Sequence, residues 1–337
     1  MAALRLLLAG FGNVGRRFVE ILSEREAYPG LSEFAVAIVG LTTGRHGAWL
    51  DPAGLAPGTI LERYRTCGGF PGSLTTLEAV RALDFDVLVE LSPLSIAGRG
   101  EPAIAHVRAA LDRGCHVVSA NKGPVAWAYH ELRELAQRKG VRFLHEATVM
   151  DGAPIFNLAR HCLQGNRILR LEGILNSTSN VVLGEMERGL DLQRAVAKAQ
   201  AMGIAEADPS ADLEGWDAAV KLTALANVLM DARLTPEQIQ RQGIENLVQR
   251  DLEAARARGC RIKMVCEAFR SGTGIEGSVT VQELELGHPF ARMEGAGSVL
   301  RIHTDLLGRL LIAEDGPDLS TTAYGVIADL LALGKNE

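Results

Sequence analysis

Several features are scarce in this 337-residue sequence, and each scarcity excludes a class of protein. Cysteine occurs five times, at scattered positions without a C-x-x-C pair, which argues against both a disulfide framework and a zinc site. Lysine and arginine number 35 against 41 acidic residues, and the net charge of −6 provides no field that attracts nucleic acid or an anionic membrane. We therefore expect a small-molecule enzyme with reduced thiols.

Long apolar runs are missing as well. The first run, at residues 4–9, is far too short to span a bilayer and enters a glycine-rich turn instead of a cleavage site. These properties predict a cytoplasmic protein. With 47% hydrophobic residues the chain can still bury substantial cores, and its length suits two domains.

Short apolar runs alternate with amphipathic stretches in the first half, which predicts parallel strands joined by helices in right-handed crossovers. The predicted strands are residues 4–9, 35–40, 86–91, 116–120 and 142–146, and the predicted helices are residues 14–25, 77–83, 102–113 and 129–139. Beyond residue 150, helices at 212–230 and 247–258 and strands at 168–175 and 276–286 indicate an α+β region. The predicted fold class is α/β, a Rossmann-type doubly wound sheet with an inserted α+β domain.

The expected domain division follows from this change of pattern. Residues 1–145 with about residues 315–337 are predicted to bind a dinucleotide, and residues 146–314 to provide substrate binding, catalysis and dimerisation. The last helix, residues 321–333, carries an apolar stripe that we expect to dock on the first domain. Val279 and Val281 share one face of a strand, and a partner subunit could cover that face, so we expect a homodimer.

A glycine-rich turn follows the first predicted strand and opens the first predicted helix. Its sequence, Gly10-Phe11-Gly12-Asn13-Val14-Gly15, fits the G-x-G-x-x-G pattern. In such a turn the first glycine permits the bend, the second lets the backbone approach a pyrophosphate, and the third lets the helix pack on the strand. The alternative is a tight turn without a ligand, but the strand and helix around it favour a nicotinamide dinucleotide.

The end of the second strand carries information about the coenzyme. A carboxylate there would bind the ribose 2′-hydroxyl of NAD, but residues 34–50 contain no acidic residue. Thr42, Thr43, Arg45 and His46 occupy the expected loop instead. Arg45 is the candidate partner of a 2′-phosphate, which favours NADP over NAD, and the alternative is that Arg45 is a solvated loop residue.

Two lysines are candidates for chemistry. Lys122 follows a predicted strand, at the edge where open α/β sheets bind ligands. Lys221 comes four residues after Asp217, so both side chains lie on one face of a helix. Such a pair is ordinarily a surface salt bridge, but this helix is apolar nearly all round and is predicted to be buried. Because a buried ion pair contributes little stability, its presence points to function.

Three acids precede that helix in the segment 203–212. Asp212 has a structural interpretation as the helix N-cap, whereas Glu206 and Asp208 have none from the sequence. Acids near lysines suit a zwitterionic substrate.

The residues above resemble the homoserine dehydrogenase family over most of the chain. The most specific match runs from Gly203-Ile204-Ala205-Glu206-Ala207-Asp208-Pro209 through Asp212-Leu213-Glu214-Gly215-Trp216-Asp217 to Lys221. Further matches are Ala120-Asn121-Lys122, Glu146-Ala147-Thr148-Val149 and Gly173-Ile174-Leu175-Asn176. The resemblance implies NAD(P)-dependent interconversion of L-aspartate 4-semialdehyde and L-homoserine, on the route to threonine, isoleucine and methionine.

The resemblance also implies roles for particular residues. Lys221 would be the proton donor, oriented by Asp217, with Lys122 close to substrate and nicotinamide. The substrate would be held by the Gly203 backbone, Glu206, Asp212 and Asp217, and the coenzyme would also contact Ser92 and Gly316. A monovalent cation, usually sodium, would lie near Glu146 and the carbonyls of Val149, Asp151 and Ala153.

The sequence departs from the family pattern at several positions. Met150-Asp151 replaces smaller residues in the cation loop, and the turn before the last helix reads Gly316-Pro317-Asp318-Leu319-Ser320. The sequence matches a short form without an ACT or aspartate kinase domain, so inhibition by threonine through such a domain is not expected. Two alternatives stay open: another Rossmann reductase acting on an amino-acid aldehyde or imine, and a non-catalytic dinucleotide-binding redox sensor.

Overall fold

The computed structural model describes residues 3–272 and 274–334. Contacts divide the chain into two compact units, Met1–Asn157 with Asp318–Glu337, and Leu158–Pro317. Within the described ranges, no helix is both long and apolar enough to cross a membrane.

The first unit contains a six-stranded sheet in the order β3-β2-β1-β4-β5-β6. Its strands are β1 (Leu4–Ala9), β2 (Val36–Thr42), β3 (Ala48–Leu55), β4 (Val87–Glu90), β5 (His116–Ser119) and β6 (Phe143–Leu144). All neighbours pair in parallel except β2 and β3, which form an antiparallel hairpin. The predicted α/β class and the five parallel strands are therefore confirmed, while β3 was not predicted.

Helices connect these strands, and one more helix follows the last strand β6. They are α1 (Asn13–Ser23), α2 (Pro57–Cys67), α3 (Thr76–Ala82), α4 (Ala103–Asp112), α5 (Gly123–Trp127), α6 (Tyr129–Lys139) and α7 (Ile155–Cys162). The first of them shows why the predicted helix forms, because Phe18, Val19 and Leu22 recur at helical spacing and are all buried.

The second unit contains another six-stranded sheet, in the order β12-β11-β7-β9-β10-β8. Its strands are β7 (Ile168–Ile174), β8 (Gln240–Arg241), β9 (Cys260–Ser271), β10 (Gly274–Glu285), β11 (Ser298–Thr304) and β12 (Arg309–Glu314). Its helices are α8 (Ser177–Glu187), α9 (Leu192–Ala201), α10 (Ser210–Leu213), α11 (Trp216–Leu229) and α12 (Gln249–Ala257). All its strands pair antiparallel except β8, which is parallel to β10.

One face of this second sheet is covered by α11. Val279 is fully buried there, and a Cβ placed at Gly277, on the same face, would lie within 3.6 Å of Leu222 in α11. The interpretation that a partner subunit could cover the Val279 face is therefore wrong, because a helix of the same unit covers it. The opposite face carries Glu267 and Ser278.

The final helix, α13 (Leu319–Gly334), belongs to the first unit. Ala323, Val326, Ile327 and Leu330 are each fully buried and join the hydrophobic core that also contains Phe18. The apolar stripe of α13 thus lies against α1, and burial of these four side chains removes several hundred square ångströms of apolar surface from water, at about 25 cal/mol per Å².

Candidate active site

The glycine turn lies between the carboxyl ends of β1 and β4, where the direction of connection in the sheet reverses. Gly10 has φ +108°, and a Cβ there would lie 2.6 Å from the carbonyl carbon of Leu91. Gly12 precedes α1 as its N-cap and has nothing within 4 Å of a virtual Cβ, so its α-carbon borders open space. A dinucleotide pyrophosphate fits this turn, because the open space at Gly12 adjoins the start of α1, where the first N–H groups of a helix lack partners within the helix.

A buried polar cluster holds the end of β4 beside this turn. The Glu90 carboxylate is fully buried, accepts hydrogen bonds from the backbone N–H (2.8 Å) and hydroxyl of Ser92, and lies 2.8 Å from His106 Nδ1. Asn121 Nδ2 donates to the carbonyl of Ser92 at 2.9 Å. The sequence prediction named Ser92 but missed Glu90, although an acid that ends an apolar strand is a recognisable signal.

The loop between β2 and β3 contains the residues predicted to select the coenzyme. Thr42 Oγ1 lies 2.8 Å from Thr76 Oγ1, and Thr43 Oγ1 donates to the Gly47 carbonyl and accepts the His46 N–H. These threonines therefore shape the loop. Arg45 is exposed.

Lys122 lies after β5 as the N-cap of α5 and is half-buried. The adjacent Asn121 accepts the Gly123 N–H through Oδ1, which fixes the start of α5 against the end of β4. The structure thus places Lys122 at the carboxyl edge of the first sheet, on the same unit as Ser92 and the glycine turn.

The second unit brings Lys221, Asp217 and Asp212 together. Lys221 Nζ donates to the Leu175 carbonyl at 2.8 Å and lies 3.2 Å from Asp217 Oδ2. Both side chains are 15% exposed, so the pair is largely buried yet reachable from solvent. The predicted pairing on one helix face is therefore observed.

Asn176 joins this group from the end of β7. Its Nδ2 donates to Asp212 Oδ1 at 2.6 Å and to Asp217 Oδ2 at 3.0 Å, while its Oδ1 accepts the Ser179 N–H as the N-cap of α8. Burial, and next the neighbouring charge of Asp217, raise the pKa of the Asp212 carboxyl. One amide thus holds two acids of like charge, a role that the sequence analysis did not assign.

Two structural interpretations of the acidic segment need correction. Asp212 is not the N-cap of the buried helix, because α11 begins at Trp216 with Gly215 as its N-cap, and Asp212 lies in α10 facing Asn176. Asp208 does have a structural role, since its Oδ1 accepts the Ser210 N–H at 3.1 Å and stabilises the start of α10. Hydrogen bonds from Ser210 also lower the pKa of Asp208.

The other predicted substrate residues lie in the loop before α10. Gly203 has φ +73° and is exposed, and Glu206 is exposed as well. Gln200 Nε2 donates to the carbonyl of Glu206 at 3.0 Å, which fixes the backbone and leaves the carboxylate in solvent. Gly316, with φ +60°, also belongs to this second unit.

The proposed cation ligands, within residues 146–153, belong to the first unit. Glu146 is buried, and its Oε1 accepts the Phe156 N–H at 2.7 Å, while Oε2 accepts two donors of Asn157 at 2.7 and 2.5 Å. Asp151 adopts φ +45°, and the Ala153 carbonyl accepts the Ile155 N–H at 2.8 Å. Glu146 therefore stabilises the start of α7, a structural role not foreseen from the sequence.

Comparison with known proteins agrees with this geometry. The family model described as homoserine dehydrogenase matches residues 154–331, and the model for the NAD binding domain of homoserine dehydrogenase matches residues 10–146. The chain is 37% identical to the NAD(+)-dependent homoserine dehydrogenase of Pseudomonas canavaninivorans, over 100% of this chain and 97% of that one.

Two solved structures are similar over nearly the whole chain. A putative homoserine dehydrogenase from Archaeoglobus fulgidus has a TM-score of 0.87 and 29% identity, covering 98% of this chain and 99% of that one. A hyperthermophilic archaeal homoserine dehydrogenase in complex with NADPH has a TM-score of 0.83 and 27% identity, covering 99% of each chain. With the dinucleotide turn and the buried lysine–aspartate pair, these matches show that the chain belongs to the homoserine dehydrogenase family and is an NAD(P)-dependent oxidoreductase acting on a CH–OH group.

Proposed function

We propose that Lys221 is the proton donor when this enzyme reduces L-aspartate 4-semialdehyde to L-homoserine. The supporting observation is the position of Nζ between Asp217 Oδ2 and the Leu175 carbonyl, with both side chains of the ion pair largely buried. The carboxylate at 3.2 Å favours the charged ammonium, which is the form that can give a proton.

The reaction needs one hydride and one proton. When bound, the reduced nicotinamide supplies the hydride to the aldehyde carbon. The Lys221 ammonium polarises the carbonyl oxygen and protonates it as the alkoxide develops, and solvent restores the proton to Lys221. Asp217 orients the amine, and Lys122, on the coenzyme-binding unit, is proposed to lie beside the reacting carbonyl.

The substrate's amino-acid end needs partners of both signs. We assign its ammonium to Glu206, whose carboxylate is exposed on a backbone held by Gln200. The Gly203 backbone and the Asp212–Asp217 pair complete the proposed substrate contacts.

Steady-state kinetics test this assignment. Glu206→Gln should raise KM for the semialdehyde about tenfold or more, because it weakens a charge-assisted hydrogen bond. The matched control is Glu214→Gln, an exposed acid of the same segment. An unchanged KM in Glu206→Gln, or equal turnover of aldehydes that lack an amino-acid end, contradicts the proposed substrate contacts.

The coenzyme preference is proposed to be NADP. The end of β2 has no carboxylate to bind a ribose 2′-hydroxyl, and exposed Arg45 is available to a 2′-phosphate. The named relatives differ, since one is NAD(+)-dependent and another contains NADPH. Arg45→Ala should lower kcat/KM for NADPH about tenfold and leave kcat/KM for NADH unchanged. Replacement of exposed Arg63 by alanine is the control and should change neither value. Equal kcat/KM for both coenzymes in the unmodified enzyme contradicts the preference.

A sodium ion is proposed at Glu146 and the carbonyls of Val149, Asp151 and Ala153. A buried carboxylate and backbone carbonyl oxygens are the kind of ligands that a hard cation prefers, which supports this assignment. Replacing sodium by choline at constant ionic strength should lower the melting temperature of the unmodified protein and not that of Glu146→Gln. An equal melting temperature in both salts contradicts the site.

A homodimer is proposed through the β11–β12 hairpin. Leu306, Leu307 and Leu311 are 77%, 56% and 45% exposed there, and Leu311 pairs with Arg301 on the sheet face that α11 does not cover. Sedimentation should show a dimer that Leu311→Asp dissociates and that Val248→Asp, at another exposed apolar position, does not. A monomer at assay concentrations contradicts the proposal.

The biological setting is proposed to be the cytoplasm, in the biosynthesis of threonine, methionine and isoleucine. All five cysteines are free thiols, which suits a reducing compartment. Fractionation of the source cells tests the location. Growth of a gene-deletion strain tests the pathway, because added threonine, methionine and isoleucine should restore growth.

A further inference from the structure

The second unit contains a cavity of about 750 Å³ that the proposed reaction does not use. It lies between α8, the end of α12, the start of β9 and the residues after β10. Among the described residues that line the cavity, there is neither Lys221 nor an acidic residue that we assign to substrate binding. Its wall includes Met202, which directly precedes Gly203 in the proposed substrate loop.

A buried ammonium group lies in this cavity. Lys263 is 1% exposed, and its Nζ donates to Asn180 Oδ1 at 2.8 Å and to the Met293 carbonyl at 2.6 Å. Both acceptors are uncharged, and among residues 3–272 and 274–334 Lys263 forms no ion pair. Burial lowers its pKa to about 8 against the opposing effect of the Glu187 charge, and one N–H of the ammonium remains available.

A carboxylate of opposite sign lines the same cavity. Glu187 Oε1 is buried and accepts no hydrogen bond from the described residues, while Oε2 lies 3.4 Å from Arg261 Nε. Arg261 is shared with Glu294, to which its Nη1 donates at 2.7 Å. Burial raises the pKa of Glu187 despite the opposing charges of Arg261 and Lys263.

The other lining residues supply both aliphatic surface and charge, and the charged ones are Glu185, Arg188, Arg256, Arg261 and Glu294. Val181 in α8, Met202 and Leu286 line the cavity, and the last two are 53% and 55% exposed at its mouth. A ligand with an apolar body would remove these side chains from water.

We propose that this cavity binds a small aliphatic α-amino acid as its zwitterion. The ligand carboxylate faces the Lys263 ammonium, the ligand ammonium faces Glu187 Oε1, and the side chain lies against Val181, Met202 and Leu286. A single zwitterion supplies an acceptor for the remaining Lys263 N–H and a donor for Glu187 Oε1, whereas a simple carboxylate or phosphate would supply only the acceptor and would add negative charge beside Glu187.

Calorimetric titration of the full chain with L-leucine tests the proposal. We expect a Kd of about 1 mM or tighter, with binding at least about tenfold weaker for leucinamide, which lacks the carboxylate, and for 4-methylpentanoate, which lacks the ammonium. Equal binding of either analogue, or no binding of L-leucine up to about 10 mM, overturns the proposal.

Variants locate the bound probe. Glu187→Gln should weaken L-leucine binding about tenfold, and exposed Glu253→Gln should not. Met202→Trp fills the mouth of the cavity from a half-exposed position, so it should abolish binding without disturbing the core, which circular dichroism checks. The inference is overturned if L-leucine binding is lost in Glu206→Gln but kept in Glu187→Gln and Met202→Trp, because the probe would then lie at the substrate site. This outcome would not bear on the proposal that Lys221 is the proton donor.

Discussion

Replacement of Lys221 by methionine separates the catalytic from the structural role of the ion pair. Methionine keeps much of the apolar stem, so the perturbation is the loss of the ammonium near Asp217 Oδ2 (3.2 Å) and the Leu175 carbonyl (2.8 Å). Asp217 then loses its cation at a position where it is only 15% exposed and where Asn176 also binds Asp212.

The expected cost follows from this geometry. Removing one partner of a fully buried ion pair costs about 3–5 kcal/mol, and the residual exposure places Lys221→Met near the lower end, at about 3 kcal/mol of unfolding free energy. Loss of a general acid costs about 100- to 10,000-fold in turnover. Coenzyme affinity should stay unchanged, because the glycine turn belongs to the other unit.

The double variant Asp217→Asn/Lys221→Met makes the two effects distinguishable. Its buried pair is neutral, so about 2 kcal/mol of stability should return while turnover stays lost. Urea unfolding gives the stability, and NADPH oxidation with the semialdehyde gives the turnover. Turnover within about threefold of the unmodified enzyme in Lys221→Met would refute the proton-donor assignment, and no recovery of stability in the double variant would refute the ion-pair reasoning.

Three further measurements follow from the structure. Gly10→Ala should destabilise the protein by more than about 2 kcal/mol, because its Cβ would lie 2.6 Å from the Leu91 backbone. Gly12→Ala should change stability by no more than about 1 kcal/mol but should weaken NADPH binding. Similar melting temperatures in both variants would contradict this. Lys263 has a pKa of about 8 in the folded protein and a reference pKa of 10.5, so only the unfolded chain holds this proton between those pH values. The free energy of unfolding should therefore rise with pH in that range by about 3 kcal/mol relative to Lys263→Met, as urea unfolding at a series of pH values measures. The same dependence of unfolding free energy on pH in both proteins would contradict this. The raised pKa of Asp212 has the opposite effect on stability, because the folded state holds a proton that the unfolded chain releases above pH 3.8. The free energy of unfolding of the unmodified protein should therefore fall relative to that of Asp212→Asn as pH rises from there. A constant difference between the two proteins would count against it.

The sequence predicted those parts of the fold that produce a continuous signal. The five parallel strands are short and mostly apolar, and the helix that carries Asp217 and Lys221 is apolar on nearly every side. The β3 strand was missed because Asp51, Pro52 and Gly54 interrupt its apolar pattern. Its pairing with β2 in an antiparallel hairpin stabilises it, and the pattern of β3 alone does not indicate that pairing.

The candidate site was predictable only in part. Position i to i+4 on one helix is enough to pair Asp217 with Lys221, since helix geometry alone brings them together. The bridging role of Asn176 depends on where the end of β7 meets α10 and α11, and sequence spacing does not encode that meeting. Lys263 does leave a signal, a single charge within the apolar strand Ile262 to Val265, which indicates a buried cation.

The position of α13 has a consequence for protein synthesis. This helix completes the core around Phe18, yet the ribosome makes it only after all of Leu158–Pro317 has been synthesised. Until then the glycine turn and β1 belong to an incomplete core with α1 uncovered on one side. The nascent first unit should therefore acquire stable coenzyme binding last, and a ribosome stalled before residue 318 should carry a chain that is readily digested by protease near α1.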